Sequence, residues 1–157
     1  ASIYEPGEAD DIRRVPPRGT QDLSIPVTYF SGGGGLVSSA RDYARFAQML
    51  LEGGKLDGRR ILGRKTVELM SSDHLGEIPG LDKPGYGFGL GFAVRTDPGL
   101  APQPGSVGEF NWGGAYGTSF WIDPAEQLIG VLMIQLRPQP REYDTEFRTL
   151  AYQAIAD

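Results

Sequence analysis

The stretch of this chain whose residue types point most directly to chemistry is Trp112-Gly113-Gly114-Ala115. It lies between two segments in which bulky and small residues alternate, as they do along β-strands. The glycines have no Cβ atom, so another group can approach the backbone closely and the neighbouring amides stay exposed. The margin of a strand built in this way can bind an oxyanion.

Complete hydrolase motifs are missing from the chain. No Ser is followed three positions later by Lys, and neither a Gly-x-Ser-x-Gly elbow nor a Lys-Thr-Gly triplet occurs. Tyr29-Phe30-Ser31 fits a Tyr-x-Ser pattern that often arises by chance. A Ser-His-Asp triad would require His74, the single histidine, which follows a predicted helix at the end that favours a cation. The chain alone therefore offers no pair of nucleophile and base.

Composition and charge argue against several other functions. The 157 residues carry a net charge of −5 without a basic cluster, which argues against nucleic acid as a partner. One histidine and no cysteine exclude a disulfide framework and a Cys/His zinc site. No stretch approaches the roughly 20 apolar residues of a membrane span. Gly32–Gly35 is not followed by the Gly-Lys-Ser/Thr of a phosphate-binding loop and is interpreted as a tight structural loop.

The Trp-Gly-Gly stretch is predicted to belong to an antiparallel sheet. Three segments, one that begins at Gly108 and ends before Trp112, then 117–123 and 128–136, are joined by turns too short for parallel neighbours. Residues 86–95 alternate with a period of two and predict one further strand. Its bulky face holds Tyr86, Phe88, Leu90, Phe92 and Val94, and its bare face holds Gly87, Gly89, Gly91 and Ala93. The bare face favours close packing of a helix over room for a ligand.

Three helices complete the predicted fold. Residues 40–52 have helical apolar spacing, with Ser39 as N-cap and two glycines as the stop. A shorter helix is predicted over 64–72, and a C-terminal helix over 141–156 should lie across the sheet. The face of this last helix predicted to point inward consists of Tyr143, Phe147, Leu150, Ala151, Ala154 and Ile155.

These elements predict an α+β fold, an α/β sandwich in which helices flank an antiparallel sheet. We interpret residues 1–157 as a single partial domain, with an irregular loop segment (1–31), a helical segment (32–75) and the sheet with its C-terminal helix (86–157). Short extended pieces are expected in the first segment around Ile3-Tyr4 and Ile12–Val15. So long a loop is unusual in a small domain, and the chain starts at Ala1 without Met, so we expect a longer parent protein.

Four blocks of the sequence, in order, resemble the C-terminal part of serine β-lactamase-like hydrolases. This superfamily includes class C β-lactamases, the esterases often called family VIII, and penicillin-binding-protein relatives. The blocks cover roughly residues 30–136 and are Ser31–Gly54, Leu62–Leu75, Tyr86–Phe92, and Phe110–Gly117 running into Phe120–Pro124. One block is weak evidence, but four in register are strong. The resemblance implies the C-terminal portion of the β-lactamase/transpeptidase-like fold.

The resemblance also implies which catalytic parts are present. The family carries its nucleophile on a Ser-x-x-Lys motif upstream of this region, so the N-terminal half with the nucleophile is expected to be absent. Trp112-Gly113-Gly114 resembles the family's third motif, with Trp112 in place of Lys. The backbone amide of Ala115 is then expected to donate to the oxyanion, while Gly113 and Gly114 keep the strand clear for the acyl group. Trp112 is expected to form an apolar wall and Tyr116 to shape the leaving-group side. Asn111 could hydrogen-bond substrate or hold the turn, and the turn is favoured.

The implied function is that of a fragment of a serine hydrolase, inactive by itself, whose parent cleaves ester or amide bonds through an acyl-enzyme and needs no metal or organic cofactor. Loss of the motif's Lys removes a charge that holds a substrate carboxylate, which favours an esterase or amide hydrolase over a β-lactamase. Two alternatives stay open: a stand-alone binding module, and a penicillin-binding relative that binds β-lactams without turnover. Expected partners are a small ester, amide or β-lactam substrate, and the missing half or a second copy at open sheet edges. Bacterial cytoplasm and periplasm both remain possible.

Overall fold

The computed structural model of the chain describes residues 2–8, 11–16, 24, 26, 28–34, 36–78, 83–139 and 142–156. Its elements are, in chain order, β1 (Ile3–Pro6), β2 (Ile12–Val15), α1 (Ala40–Leu51), β3 (Lys55–Leu56), β4 (Arg59–Arg60), α2 (Arg64–Met70), β5 (Tyr86–Phe88), β6 (Ala93–Arg95), β7 (Phe110–Gly113), β8 (Ser119–Asp123), β9 (Leu128–Leu132) and α3 (Tyr143–Gln153). No helix among these residues is long and apolar enough to cross a membrane.

A five-stranded antiparallel sheet in the order β5-β6-β7-β8-β9 forms the centre of the fold. Phe110 on β7 lies opposite Ile122 on β8, and Ser119 at the start of β8 lies opposite Leu132 on β9. The α+β fold with an antiparallel sheet is therefore confirmed. The last strand is shorter than predicted, because the chain leaves the sheet after Leu132 and Leu136 instead forms a bridge with β1.

Helix α1 covers one face of the sheet and builds the apolar core with it. Ser39 caps the helix by accepting a hydrogen bond from the Asp42 N–H at 3.1 Å, and Gly53 with φ of 61° follows its end, as predicted. The buried core consists of Ala47, Met49, Leu50, Val67, Phe92, Val94, Phe110, Phe120 and Ile122. Full burial of one large apolar side chain stabilises a fold by about 1.5–3 kcal/mol. This core therefore fixes β7 and β8, which carry the candidate site.

Helix α3 covers the opposite face of the sheet, where Phe147 packs on the buried Trp121, but the prediction of its inward side is only partly right. Leu150 is 66% exposed and Phe147 is 37% exposed, whereas Arg148 is 1% exposed. The reason is the sheet beneath, which buries the carboxylates of Glu109 and Asp123. Buried charges need partners, so the helix turns its polar side inward. The helix is also shorter than predicted, and Arg141 lies outside the described residues.

Residues 86–95 form two strands where one was predicted. β5 and β6 pair antiparallel, and Gly91 with φ of 97° lies in the turn between them. The single alternating pattern does not reveal this turn, which leaves Leu90 exposed. A side chain at Gly87 would collide with the Asp73 carboxylate, and one at Gly89 with the carbonyl at the end of α2. The predicted packing of a helix against the bare face is therefore seen only at Gly89, whereas Gly87 packs against the loop after α2 and Gly91 faces open space.

Strands β1 and β2 form a hairpin within the segment predicted to be mostly irregular. The extended pieces expected there are present, and Ile3 pairs with Val15. The Tyr4 N–H donates to the Gln135 carbonyl at 2.9 Å, and the Arg137 N–H donates to the Tyr4 carbonyl at 3.1 Å. The hairpin is thus bound to the segment that follows β9. Residues 17–23 of the predicted loop lie outside the described residues.

Candidate active site

A tight loop, residues 114–118, joins β7 to β8 and carries the candidate site. The Gly114 N–H donates to the Thr118 carbonyl at 2.7 Å, which extends the strand ladder by one bond. The Gly117 N–H donates to the Gly114 carbonyl at 3.0 Å and closes a β-turn. Gly117 has φ of 86°, and a side chain at Gly114 would collide with the Thr118 hydroxyl. The glycines are therefore required by the turn itself.

Ala115 is the second residue of this turn and is exposed. The internal hydrogen bond of a β-turn uses the carbonyl of the first residue and the N–H of the fourth, so the second N–H is not used. No described residue accepts a hydrogen bond from the Ala115 N–H. The amide lies outside the strand ladder and at the surface. An oxyanion donor requires this accessibility before substrate binds.

Trp112 forms a partly exposed aromatic surface next to the turn. Its side chain is 44% exposed, and its ring packs edge-to-face on Phe88 with 5.0 Å between the ring centroids. On β8, Phe120 lies directly opposite Trp112 and belongs to the core. Aromatic pairs in this geometry stabilise each other by about 0.5–1.5 kcal/mol. The indole is therefore held in place by its neighbours and supplies no positive charge.

Two cavities border the turn. The first has a volume of about 290 Å³ and is lined by Trp112, Gly113 and Gly114 together with residues of β8 and α3. The second has a volume of about 340 Å³ and is lined by Tyr116 together with residues of the β1–β2 hairpin and the segment after β9. The structure thus brings three of the predicted site residues to one cavity and Tyr116 to the other. Ala115 lies between them in the chain.

Asn111 does not hold the turn, contrary to the sequence-based interpretation. Its side chain is 6% exposed, its Nδ2 donates to Glu109 Oε1 at 3.1 Å, and its Oδ1 accepts from Lys83 Nζ at 3.0 Å. The Lys83 ammonium also lies 4.0 Å from the centre of the Tyr86 ring. Burial lowers the pKa of Lys83, and the nearby Arg148 lowers it further. Asn111 therefore links β7 to a lysine at the wall of the first cavity.

A buried polar network supports β7 and β8 from the α3 side. Arg148 Nη1 donates to Glu109 Oε1 at 2.6 Å, and the Tyr152 hydroxyl donates to Asp123 Oδ2 at 2.7 Å. Burial alone raises the pKa of Asp123, but hydrogen bonds, led by that from Tyr152, bring it below its ordinary value. Burial raises the pKa of Tyr152, and the bond to Asp123 raises it further. The network ties α3 to the strands that flank the turn.

The other sequence candidates have structural roles. His74 follows α2, and its Nε2 lies 2.8 Å from the carbonyl oxygen of Leu69 in that helix. Ser31 accepts a hydrogen bond from the Gly33 N–H through its Oγ at 3.2 Å, which is a local turn contact. Among the residues with described positions, no cluster of three His, Cys, Asp or Glu side chains is arranged to hold a metal ion.

Sequence reasoning missed Lys83, Arg137 and the residues of the network under α3. Glu109 and Arg148 are 39 positions apart, so no local spacing links them. The sequence does contain one indication of this network. Glu109 and Asp123 lie in or beside segments predicted to be strands, and a carboxylate that is buried in a sheet requires a hydrogen-bond donor opposite it.

Comparison with known proteins places the chain in a family. The family model for Beta-lactamase matches residues 2–153. Protein Rv1367c of Mycobacterium tuberculosis is 40% identical over 151 residues, covering 88% of this chain and 36% of that protein. Esterase EstB of Burkholderia gladioli is 32% identical over 127 residues, covering 81% of this chain and 30% of the esterase. The chain thus spans about a third of the length of the curated relatives it matches.

Solved structures give the same result. EstCE1, described as a hydrolase with promiscuous acyltransferase activity, has a TM-score of 0.77 and 29% identity, over 97% of this chain and 43% of its own. Unliganded simvastatin synthase LovD from Aspergillus terreus, at 20% identity, shares the fold with a TM-score of 0.72 over 100% of this chain and 43% of its own. Since the family model matches nearly the whole chain, the resemblance seen in the sequence is confirmed: the chain belongs to the beta-lactamase family.

Proposed function

We propose that this chain is the oxyanion-binding part of a serine hydrolase that cleaves ester or amide bonds through an acyl-enzyme. The observation that carries the proposal is the exposed Ala115 N–H, which lies in a turn and has no acceptor among the described residues. A serine from the remaining part of a longer protein attacks the substrate carbonyl. The carbonyl oxygen becomes an oxyanion, and a positioned N–H lowers the barrier for this step by roughly 3–4 kcal/mol.

Each predicted site residue has a role in this mechanism. Collapse of the tetrahedral intermediate expels the alcohol or amine and leaves the acyl-serine, which water then hydrolyses. Gly113 and Gly114 keep the end of β7 free of side chains where the acyl group passes. Trp112 supplies an apolar wall, supported by its contact with Phe88. Tyr116 shapes the leaving-group side from the neighbouring cavity.

Esters or simple amides fit this site better than β-lactams. Trp112 stands where β-lactamases carry the Lys of the third motif, so the fixed charge that holds a β-lactam carboxylate is absent from β7. Relatives of the chain include Esterase EstB and the hydrolase EstCE1. Both lines of support favour an esterase-like activity.

The test is a comparison of substrates on the purified full-length protein that contains this chain. We expect hydrolysis of short-chain 4-nitrophenyl esters with a burst of 4-nitrophenol, as an accumulating acyl-enzyme produces. Cephalosporins should be cleaved far more slowly. Much faster cleavage of cephalosporins than of esters would reverse the assignment. Covalent labelling by fluorescent penicillin without ester turnover would identify a penicillin-binding relative instead.

A further inference from the structure

The cavity of about 340 Å³ beside Tyr116 has walls from two distant parts of the chain. The β1–β2 hairpin contributes Ile3, Glu5 and Val15, and the segment after β9 contributes Arg137. Tyr116 also lines this cavity and directly follows Ala115, so the cavity and the proposed oxyanion amide share the loop 114–118, although Ala115 itself does not line the cavity.

Backbone hydrogen bonds hold these walls in fixed positions. Tyr4 on β1 bonds to the carbonyl of Gln135 and to the N–H of Arg137, at 2.9 and 3.1 Å. The Leu136 N–H donates to the Tyr116 carbonyl at 2.9 Å. Both sides of the cavity are therefore tied to the same short segment, 135–137. Such a preorganised site loses less entropy when it binds a ligand.

The cavity contains a cation whose charge is not balanced within it. Its two charged lining residues are, among the described residues, Glu5 and Arg137. Glu5 Oε2 is paired with Arg13 Nη2 at 3.1 Å, so its charge is compensated on the hairpin. Arg137 makes no ion pair with a described residue, and its guanidinium carbon lies 5.9 Å from the centre of the Tyr116 ring. In a chain with net charge −5, this cation favours an anionic ligand locally.

We propose that this cavity binds a carboxylate-bearing arm of the substrate, with Arg137 as the counter-ion. The proposal rests on the proposed function and specifies its substrate class, namely esters that carry a carboxylate away from the scissile bond. Trp112 on β7 carries no positive charge. Arg137 supplies one instead, from the cavity that Tyr116 lines. A guanidinium can bind a carboxylate with two parallel hydrogen bonds, which selects it over a neutral group of the same size.

The experiment compares charged and neutral esters on the full-length protein. One pair, 4-nitrophenyl hydrogen glutarate and 4-nitrophenyl valerate, places the carboxylate on the acyl side. The other, 4-carboxyphenyl and 4-carbamoylphenyl butyrate, places it on the alcohol side. Arg137→Gln should lower kcat/KM for the charged member of one pair by about fivefold to tenfold and leave the neutral member unchanged. Arg137→Lys keeps the charge but not the two parallel hydrogen bonds, so it should retain only part of the preference. Arg59→Gln, on exposed β4, is the matched control.

The possible outcomes separate the two proposals. The pair that responds identifies the side of the ester that occupies the cavity. If neutral esters are hydrolysed but Arg137→Gln changes neither charged-to-neutral ratio, the carboxylate site is wrong and the esterase function stands. If the wild-type protein hydrolyses none of the four esters, the proposed function fails and this inference fails with it. An equal change in the Arg59→Gln control would show a general charge effect and also overturn the carboxylate site.

Discussion

Ala115 is a position where the backbone amide can be removed while the fold is kept. Proline is favoured at the second position of common β-turns, and the preceding glycine tolerates the backbone that a following proline requires. Ala115→Pro should therefore preserve the turn but delete the proposed oxyanion donor. We expect kcat for ester hydrolysis in the full-length protein to fall by about 10²–10³-fold, with little change in melting temperature.

The matched control for this substitution is Ala115→Gly, which keeps the N–H and should retain most of the activity. Steady-state kinetics and circular dichroism on the two variants give the comparison. Full activity in a folded Ala115→Pro variant would show that the oxyanion is stabilised elsewhere. The role of Ala115 would then have to be abandoned.

Residues that act through local sequence were predictable, and residues that act through distant contacts were not. The turn that contains Ala115 follows from two adjacent glycines between alternating segments, which the sequence displays directly, whereas the role of Ala115 comes from the family resemblance and is a proposal. Arg137 belongs to a cavity because a hairpin more than 100 positions earlier packs against its neighbour Leu136. No local pattern encodes that contact. The same holds for Lys83, which reaches Asn111 across 28 positions.

At the scale of elements, the strands that flank the turn were predictable because each is short, alternating and bounded by turn residues. The orientation of α3 was not. Its apolar residues indicated one inward face, but the sheet beneath buries Glu109 and Asp123, and their need for partners determines which side of the helix packs. Tertiary electrostatics thus overrode the helical pattern. The prediction of a single strand over 86–95 is wrong for a local reason. Gly91 permits a turn, and this turn does not interrupt the alternation of bulky and small residues.

The attachment of α3 to the sheet should depend on one buried ion pair. Arg148→Ala removes the partner at 2.6 Å from Glu109 and leaves this buried carboxylate with Arg95, whose Nε lies 3.5 Å from Glu109 Oε2, as its remaining cation. We expect a loss of about 1.5–3 kcal/mol in the free energy of unfolding, the cost of one hydrogen bond to a charged group, measured by urea denaturation of the full-length protein. Arg41→Ala, an exposed helical arginine in α1, should change stability by less than about 0.5 kcal/mol. Equal effects of the two substitutions would contradict this account of how α3 is held.

The hydrogen bond between Tyr152 and Asp123 predicts a pH-dependent contribution to stability. The folded-state pKa of Asp123 lies below its ordinary value of 3.8. Its contribution is therefore complete above that pH and is lost as the pH falls through the lower folded-state value. Tyr152→Phe should cost about 1 kcal/mol at neutral pH, and the difference from wild type should narrow below pH 3.8. A difference that stays constant from neutral pH into acid would rule out this linkage.

At the scale of the whole molecule, two neighbouring surfaces are left uncovered by the described residues: the outer edge of β9 and the apolar side chains on the exposed side of α3. β9 pairs with β8 on one side, and no described strand pairs with its other edge. On α3, the side chains of Phe147, Leu150 and Ile155 are 37%, 66% and 37% exposed. An open strand edge beside apolar side chains favours association. We propose that the rest of a longer protein covers this surface, and that a second copy covers it when the chain is alone.

The chain alone should therefore self-associate at micromolar concentrations, and Leu150→Arg should weaken this association. Burial of one leucine stabilises an interface by about 1.5–3 kcal/mol, so we expect at least a tenfold rise in the dimer dissociation constant, measured by sedimentation equilibrium. Ile61→Arg is the matched control, because Ile61 is 59% exposed and lies between β4 and α2. In the full-length protein the same Leu150→Arg substitution should lower the melting temperature, since a charge would then be placed in a covered interface. If the wild-type chain is monomeric and Leu150→Arg does not change the melting temperature of the full-length protein, this face is an ordinary solvated surface.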